Sequence, residues 1–274
     1  MPDLGFLKYS PRSALNGDTT PDTLSDYSQI KAIVELFRQI YSTLTEISRF
    51  HRISHFNLDS TVFPATLTLH MFPEGTIPQE AQGRASCPPH MPYDLQSAVM
   101  RMESRDLALH SFNEWIDESL RGIGARLDWL LVRPYHHLHI HYSTDPPAVD
   151  VWHSVFSITS SKGESFIADF TIEQFGYPGN SWFTEKSEYL TNHVDGEWRI
   201  ASEDDMDATK EVVLSSAAMT GFTSPADSVC QNMHWPTYRQ LPVADRMHWV
   251  TTRTLEICHR AYEECGPIVL AQHV

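Results

Sequence analysis

Apolar residues recur with a helical period just after Ser25-Asp26. Ile30, Ile33, Val34, Phe37, Ile40, Tyr41, Leu44 and Ile47 fall on one face over roughly five turns. The preceding residues 1–24 mix Pro, Ser, Asp and Gly without periodicity and read as a flexible tail. Residues 51–92 alternate short apolar runs with Pro73, Pro78, Pro88, Pro89 and Pro92; a strand is expected over Thr66–Met71 and loop elsewhere. Helical spacing returns from Asp94 to Arg121, first through Leu95, Ala98, Val99 and Met102, then through Leu109, Phe112, Trp115, Ile116 and Leu120. Gly122-Ile123-Gly124 is the stop signal.

From Leu127 the period shortens to that of strands. Trp129–Val132, Tyr135–Tyr142 and Val151–Ile158 read as extended segments, and Ser165–Thr171 resumes after the turn residues Ser160-Ser161-Lys162-Gly163. Trp152, Phe156, Phe166 and Phe170 on one face, with Val151, Val155 and Ile167 on the other, predict a sheet covered on both sides. A polar stretch follows Gly176. Its most acidic run, residues 203–207, reads as a solvated face. A last helix is expected from Val243 to about Glu264. With no internal repeat or linker, residues 25–274 read as a single α+β domain whose C-terminal helical segment spans about 205–274.

Composition narrows the partners. The 274 residues are 41% hydrophobic and 11% aromatic, as expected of a folded chain, and carry a formal charge of -15. That balance argues against nucleic acid or an anionic membrane surface as a partner. No apolar run approaches a membrane span, and the start lacks a signal-peptide pattern, so a cytoplasmic location is expected. Cys87, Cys230, Cys258 and Cys265 have no close-pair metal spacing and read as reduced thiols.

Two constellations carry candidate chemistry. A three-residue hairpin loop sets His153 across from Asp169 on one sheet face, whereas a one-residue slip would separate them. An imidazole beside a carboxylate on rigid strands is the base and orienter of a catalytic triad, lacking its nucleophile. The second is Tyr135-His136-His137-Leu138-His139-Ile140-His141-Tyr142. On a strand, His137, His139 and His141 share a face, with His153 expected on the neighbouring strand. They are read either as lining a substrate pocket, as structural, or as ligands for zinc or iron.

The succession of helix, Gly122-Ile123-Gly124-Ala125-Arg126, Trp152-His153-Ser154-Val155 and Asp169-Phe170-Thr171-Ile172-Glu173-Gln174-Phe175 resembles the transglutaminase-like, papain-related thiol superfamily over about residues 87–177. The resemblance implies an antiparallel sheet packed with helices, here with additional N- and C-terminal helices. It implies acyl or amide chemistry on a small molecule or peptide, with His153 as base and Asp169 as its orienter. Gln174 is read either as an oxyanion donor or as a structural amide, with Trp152 beside the substrate. The chain departs from the family where the nucleophile belongs, since residues 104–111 contain no cysteine. Cys87 is the only cysteine upstream of His153 and becomes the provisional nucleophile. No cofactor is expected, zinc or iron on the histidine strand being the minority reading. A proton-transfer or cyclisation enzyme of secondary metabolism, a non-catalytic binding protein and a metal-dependent enzyme are the alternatives.

Overall fold

The computed structural model describes residues 25–47, 53–73, 87–102, 104–145, 152–215 and 217–265. The expected tail over 1–24 lies outside them. Helix α1 (Asp26–Ile47) buries the predicted stripe from Ile30 to Leu44 at 2% exposure or less and leaves its last member, Ile47, partly buried. Ser25 caps it: its hydroxyl accepts from the Ser28 N–H at 3.3 Å, and its carbonyl accepts from the Gln29 N–H at 3.1 Å. Helices α2 (Tyr93–Arg101) and α3 (Arg105–Arg121) follow as two segments, and Gly124 adopts φ 75° where the chain turns into the sheet.

Five strands form the principal antiparallel sheet in the order β7-β6-β5-β3-β8: β3 (Arg126–Pro134), β5 (His153–Thr159), β6 (Ser165–Ala168), β7 (Phe183–Glu185) and β8 (Val194–Ile200). Six of the seven β5 residues are buried, so the strand is covered on both faces, as its apolar pattern predicts. One face meets α3, where Ser154 Oγ donates to Asp106 Oδ1 at 2.5 Å. On the other, Ser157 Oγ accepts from Lys186 Nζ at 3.5 Å, at the start of α4 (Lys186–His193).

A smaller sheet, in the order β1-β2-β4, joins β1 (Ile53–Asp59) and β2 (Ala65–Met71) antiparallel and adds β4 (Leu138–Tyr142) parallel to β2. Two expectations are corrected here. Residues 53–59 are strand rather than loop, and the histidine strand β4 does not neighbour β5. The N–H of Ala65 donates to the His137 carbonyl at 3.0 Å, which draws this segment into the small sheet. Its core of Ile53, Leu67, Leu69, Met91, Ala98, Val99, Met102 and Leu138 is separate from the main one.

Four helices follow among the described residues: α5 (Glu203–Ser215), α6 (Ala217–Asn232), α7 (Trp235–Gln240) and α8 (Val243–Cys265). The acidic run opens α5 and is a cap as well as a solvated face. Ser202 Oγ accepts from the Asp205 N–H at 3.2 Å while Asp205 accepts from the Ser202 N–H at 2.8 Å, a reciprocal capping box at the positive end of the helix dipole. Arg199 Nη2 adds a 2.7 Å bond to Asp205, whose carboxyl lies well below the usual range because of Arg199 and Ser202. No helix among the described residues is long and apolar enough to cross a membrane.

Candidate functional site

The β5–β6 hairpin closes through residues 161–163. Ser160 N–H donates to the Glu164 carbonyl at 2.8 Å, and Gly163 at φ 86° supplies the left-handed position of a three-residue hairpin loop. The ladder pairs Phe156 with Ala168, and its continuation sets His153 diagonal to Asp169 instead of directly across. A displacement of two residues preserves side-chain parity, so both stay on one face. His153 Nε2 lies 2.8 Å from Asp169 Oδ2, with side-chain exposures of 1% and 0%.

Asp169 is saturated with donors. The Tyr189 hydroxyl from α4 donates to Oδ2 at 2.7 Å. Thr171 donates its N–H to Oδ1 at 2.9 Å and its hydroxyl at 3.3 Å, an Asx turn that explains why Thr follows two residues after the acid. Burial opposes the charge of Asp169, but His153 and these donors win and hold its carboxyl below the ordinary 3.8. Burial and the Asp169 charge push the Tyr189 phenol far up, so it remains a donor. An ionised carboxylate only accepts, so the shared proton belongs to His153 Nε2. That leaves Nδ1 buried and without a hydrogen-bond partner among the described residues.

Phe175 covers this imidazole. It ends a short 3-10 helix (Ile172–Phe175) and stands edge-on to His153, with centroids 4.7 Å apart, and edge-on to His136 at 4.9 Å. His136 in turn stacks on His139 at 4.5 Å. Burial first, then the neighbouring His139, pushes His136 down to about 4, so it is a neutral ring at physiological pH. Gly176 closes the turn at φ 84°. A Cβ there would stand 2.9 Å from the Leu138 Cβ, and the His137 N–H donates to the Phe175 carbonyl at 2.9 Å. The turn is therefore held hard against the entry to β4.

The other candidates divide. Gln174 is buried beside Phe175 in sequence, and its Nε2 has no partner among the described residues. Trp152 points elsewhere, under the guanidiniums of Arg133 at 5.7 Å and Arg199 at 5.3 Å. His137 is exposed among Phe63, Tyr135 and Tyr177. His141 Nε2 lies 3.2 Å from Thr68 Oγ1, and its Nδ1 lies against the carbonyls of Tyr142 and Asp145. Among the described residues no group of three or more His, Cys, Asp or Glu is placed to hold a metal ion. Cys87 packs against the small-sheet core, and burial pushes its thiol up to about 11, the reverse of nucleophile activation. Ser104 is committed to Tyr41 at 2.6 Å and to the Arg101 carbonyl at 2.8 Å. Comparison of the chain with known protein families, with curated proteins and with solved structures finds no match in any of the three.

Proposed function

We propose that this chain is an enzyme acting on a small molecule or short peptide, with Nδ1 of His153 as general base and Asp169 as its orienter. The observation behind this is the division between the two ring nitrogens. Nε2 is fixed by a saturated carboxylate, whereas Nδ1 is buried without a partner among the described residues. An unmet polar atom of this kind costs about 1–3 kcal/mol, and a group kept at such cost calls for a use in ligand binding or chemistry. Because Cys87 belongs to the small-sheet core, the favoured reaction is proton abstraction or transfer, including cyclisation. Acyl or amide chemistry is the wider class that the family resemblance implies.

The transglutaminase-like assignment is part of this proposal. What supports it is that α3 runs through the Gly122–Gly124 turn into β3, while its first turn reaches β5 through the Ser154–Asp106 bond. The family keeps its thiol at this helix start, where the present chain reads Ser104-Arg105-Asp106-Leu107. Loss of the thiol with retention of base and orienter fits a site turned to proton transfer. Substrate would reach Nδ1 only when Phe175 moves aside, since His153 is 1% exposed. That same burial favours the second reading, a binding protein in which the pair only ties strands together.

The test is depletion of compounds from a metabolite mixture, followed by mass spectrometry, with wild type and His153→Gln at equal folded concentration. Depletion by wild type alone is expected. Equal depletion by both proteins, or by neither, would favour the binding reading.

A further inference from the structure

On the far side of the Ile172–Phe175 turn lies a cleft of about 310 Å³ between α1, α2 and Pro178-Gly179, and neither His153 nor Asp169 lines it. Its floor is an ion triad. Arg38 Nη2 donates to Glu173 Oε1 at 2.6 Å, and Arg101 Nε lies 3.2 Å from Glu173 Oε2. The three side chains are 18%, 11% and 7% exposed. Two guanidiniums thus share one carboxylate, and the floor carries one positive charge in excess. Arg38 Nε is buried without a hydrogen-bond partner among the described residues. The remaining acids of the cleft, Glu46 and Asp94, sit exposed at its rim, where water screens them.

The triad is positioned before any ligand arrives. Arg38 is clamped by the Gly179 carbonyl at 3.1 Å and lies over the Trp182 ring at 5.0 Å. Arg101 donates to Ser42 Oγ at 3.1 Å and to the Ser97 carbonyl at 3.2 Å. Planar, fixed guanidiniums suit the paired oxygens of a carboxylate or phosphate, and a cavity of this size suits a small metabolite. We propose that the cleft binds a small oxyanion-bearing molecule, a carboxylate or a phosphate, through Arg38 and Arg101, with Ser42 and Ser97 beside it and Tyr93 at the mouth. The site stands whether or not His153 is catalytic.

Isothermal titration at constant ionic strength tests it, with sodium succinate and sodium phosphate as probes of the two ligand sources. Wild type, Arg101→Gln and Ser97→Leu are compared. Ser97→Leu fills the cleft but keeps the triad, because Arg101 bonds to the backbone of Ser97 and Leu favours helix. Circular dichroism checks the fold of each variant. Saturable binding of at least one probe is expected, weakened at least tenfold in both variants; the stronger probe identifies the ligand source. Affinity unchanged in folded Ser97→Leu, or no saturable binding of either probe at millimolar concentration, would overturn the proposal.

Discussion

Asp169→Asn is the perturbation that bears most directly on the candidate site, because it keeps the shape of the side chain and changes only what the carboxylate does. The ionised acid accepts from His153 Nε2, the Tyr189 hydroxyl and the Thr171 N–H. Hydrogen bonds to a charged group contribute about 1.5–3 kcal/mol and neutral ones about 0.5–1.5, so three such exchanges cost about 3 kcal/mol before the relief of burying no charge is counted. A net loss of about 1–3 kcal/mol in urea unfolding at pH 7 is expected. The amide also reverses the tautomer. Its oxygen stays with the Thr171 N–H, so its NH₂ faces His153, which must present a bare Nε2 and carry the proton on Nδ1. A base becomes a donor, and any His153-dependent turnover falls by a factor on the order of 10⁴, the size of effect a wrong tautomer has in serine proteases. The pH dependence has a definite sign. Asp169 is held below 3.8 in the folded state, so its contribution is complete above 3.8 and is lost as pH falls through the folded value. Nitrogen-15 NMR of the ring reads the tautomer. Protonated Nδ1 in the wild type, or a stability gap between the two proteins that does not shrink below pH 3.8, would refute the reasoning.

The other predictions concern neighbours. Gly176→Ala forces a side chain into φ 84° and against the Leu138 Cβ, and a loss of about 2–4 kcal/mol is expected in chemical denaturation; a loss under about 0.5 kcal/mol would mean the turn is not pinned. His136 should stay neutral until pH approaches about 4, so its proton resonances should not shift near 6.5; the unfolded chain takes up this proton first, and stability from this ring declines as pH drops below 6.5. Cys87 should alkylate more slowly at pH 7 than a free thiol, and Cys87→Ser should leave any turnover intact, rapid selective alkylation being the contrary result. Glu173→Ala leaves two half-buried guanidiniums without their carboxylate and should cost about 2–4 kcal/mol in urea unfolding; a cost below about 1 kcal/mol would show that the triad is solvated.

The elements that sequence periodicity revealed are those with one continuous job. The α1 stripe, the covered β5 strand and the Gly163 turn each have a local cause, and these were enough to put His153 and Asp169 on one face. Strands β1 and β8 were missed for a shared reason. Each carries a short alternation, Phe56 and Leu58 in β1 and Val194, Trp198 and Ile200 in β8, but six of the seven residues in each escape full burial, and so few apolar positions amid polar ones read as loop. Within the site, Thr171 had a readable cause in the Asx turn. Tyr189 did not, since nothing in a polar helix twenty residues on announces a bond to Asp169. His136 was overlooked because strand alternation selects His137, His139 and His141, whereas β4 begins only at Leu138. The two residues before it follow no alternation, and Phe175 gathers His136 rather than His137.

The Thr171 amide offers one more consequence. Its proton is bonded to the same buried carboxylate that holds His153, at the start of the turn that carries Phe175. Native-state hydrogen exchange at this one position therefore times how often the covering turn lifts. If the proton exchanges only with global unfolding, the imidazole is sealed for the life of the fold. If it exchanges through a smaller, local opening, the free energy of that opening is the toll any visiting molecule must meet before it touches His153.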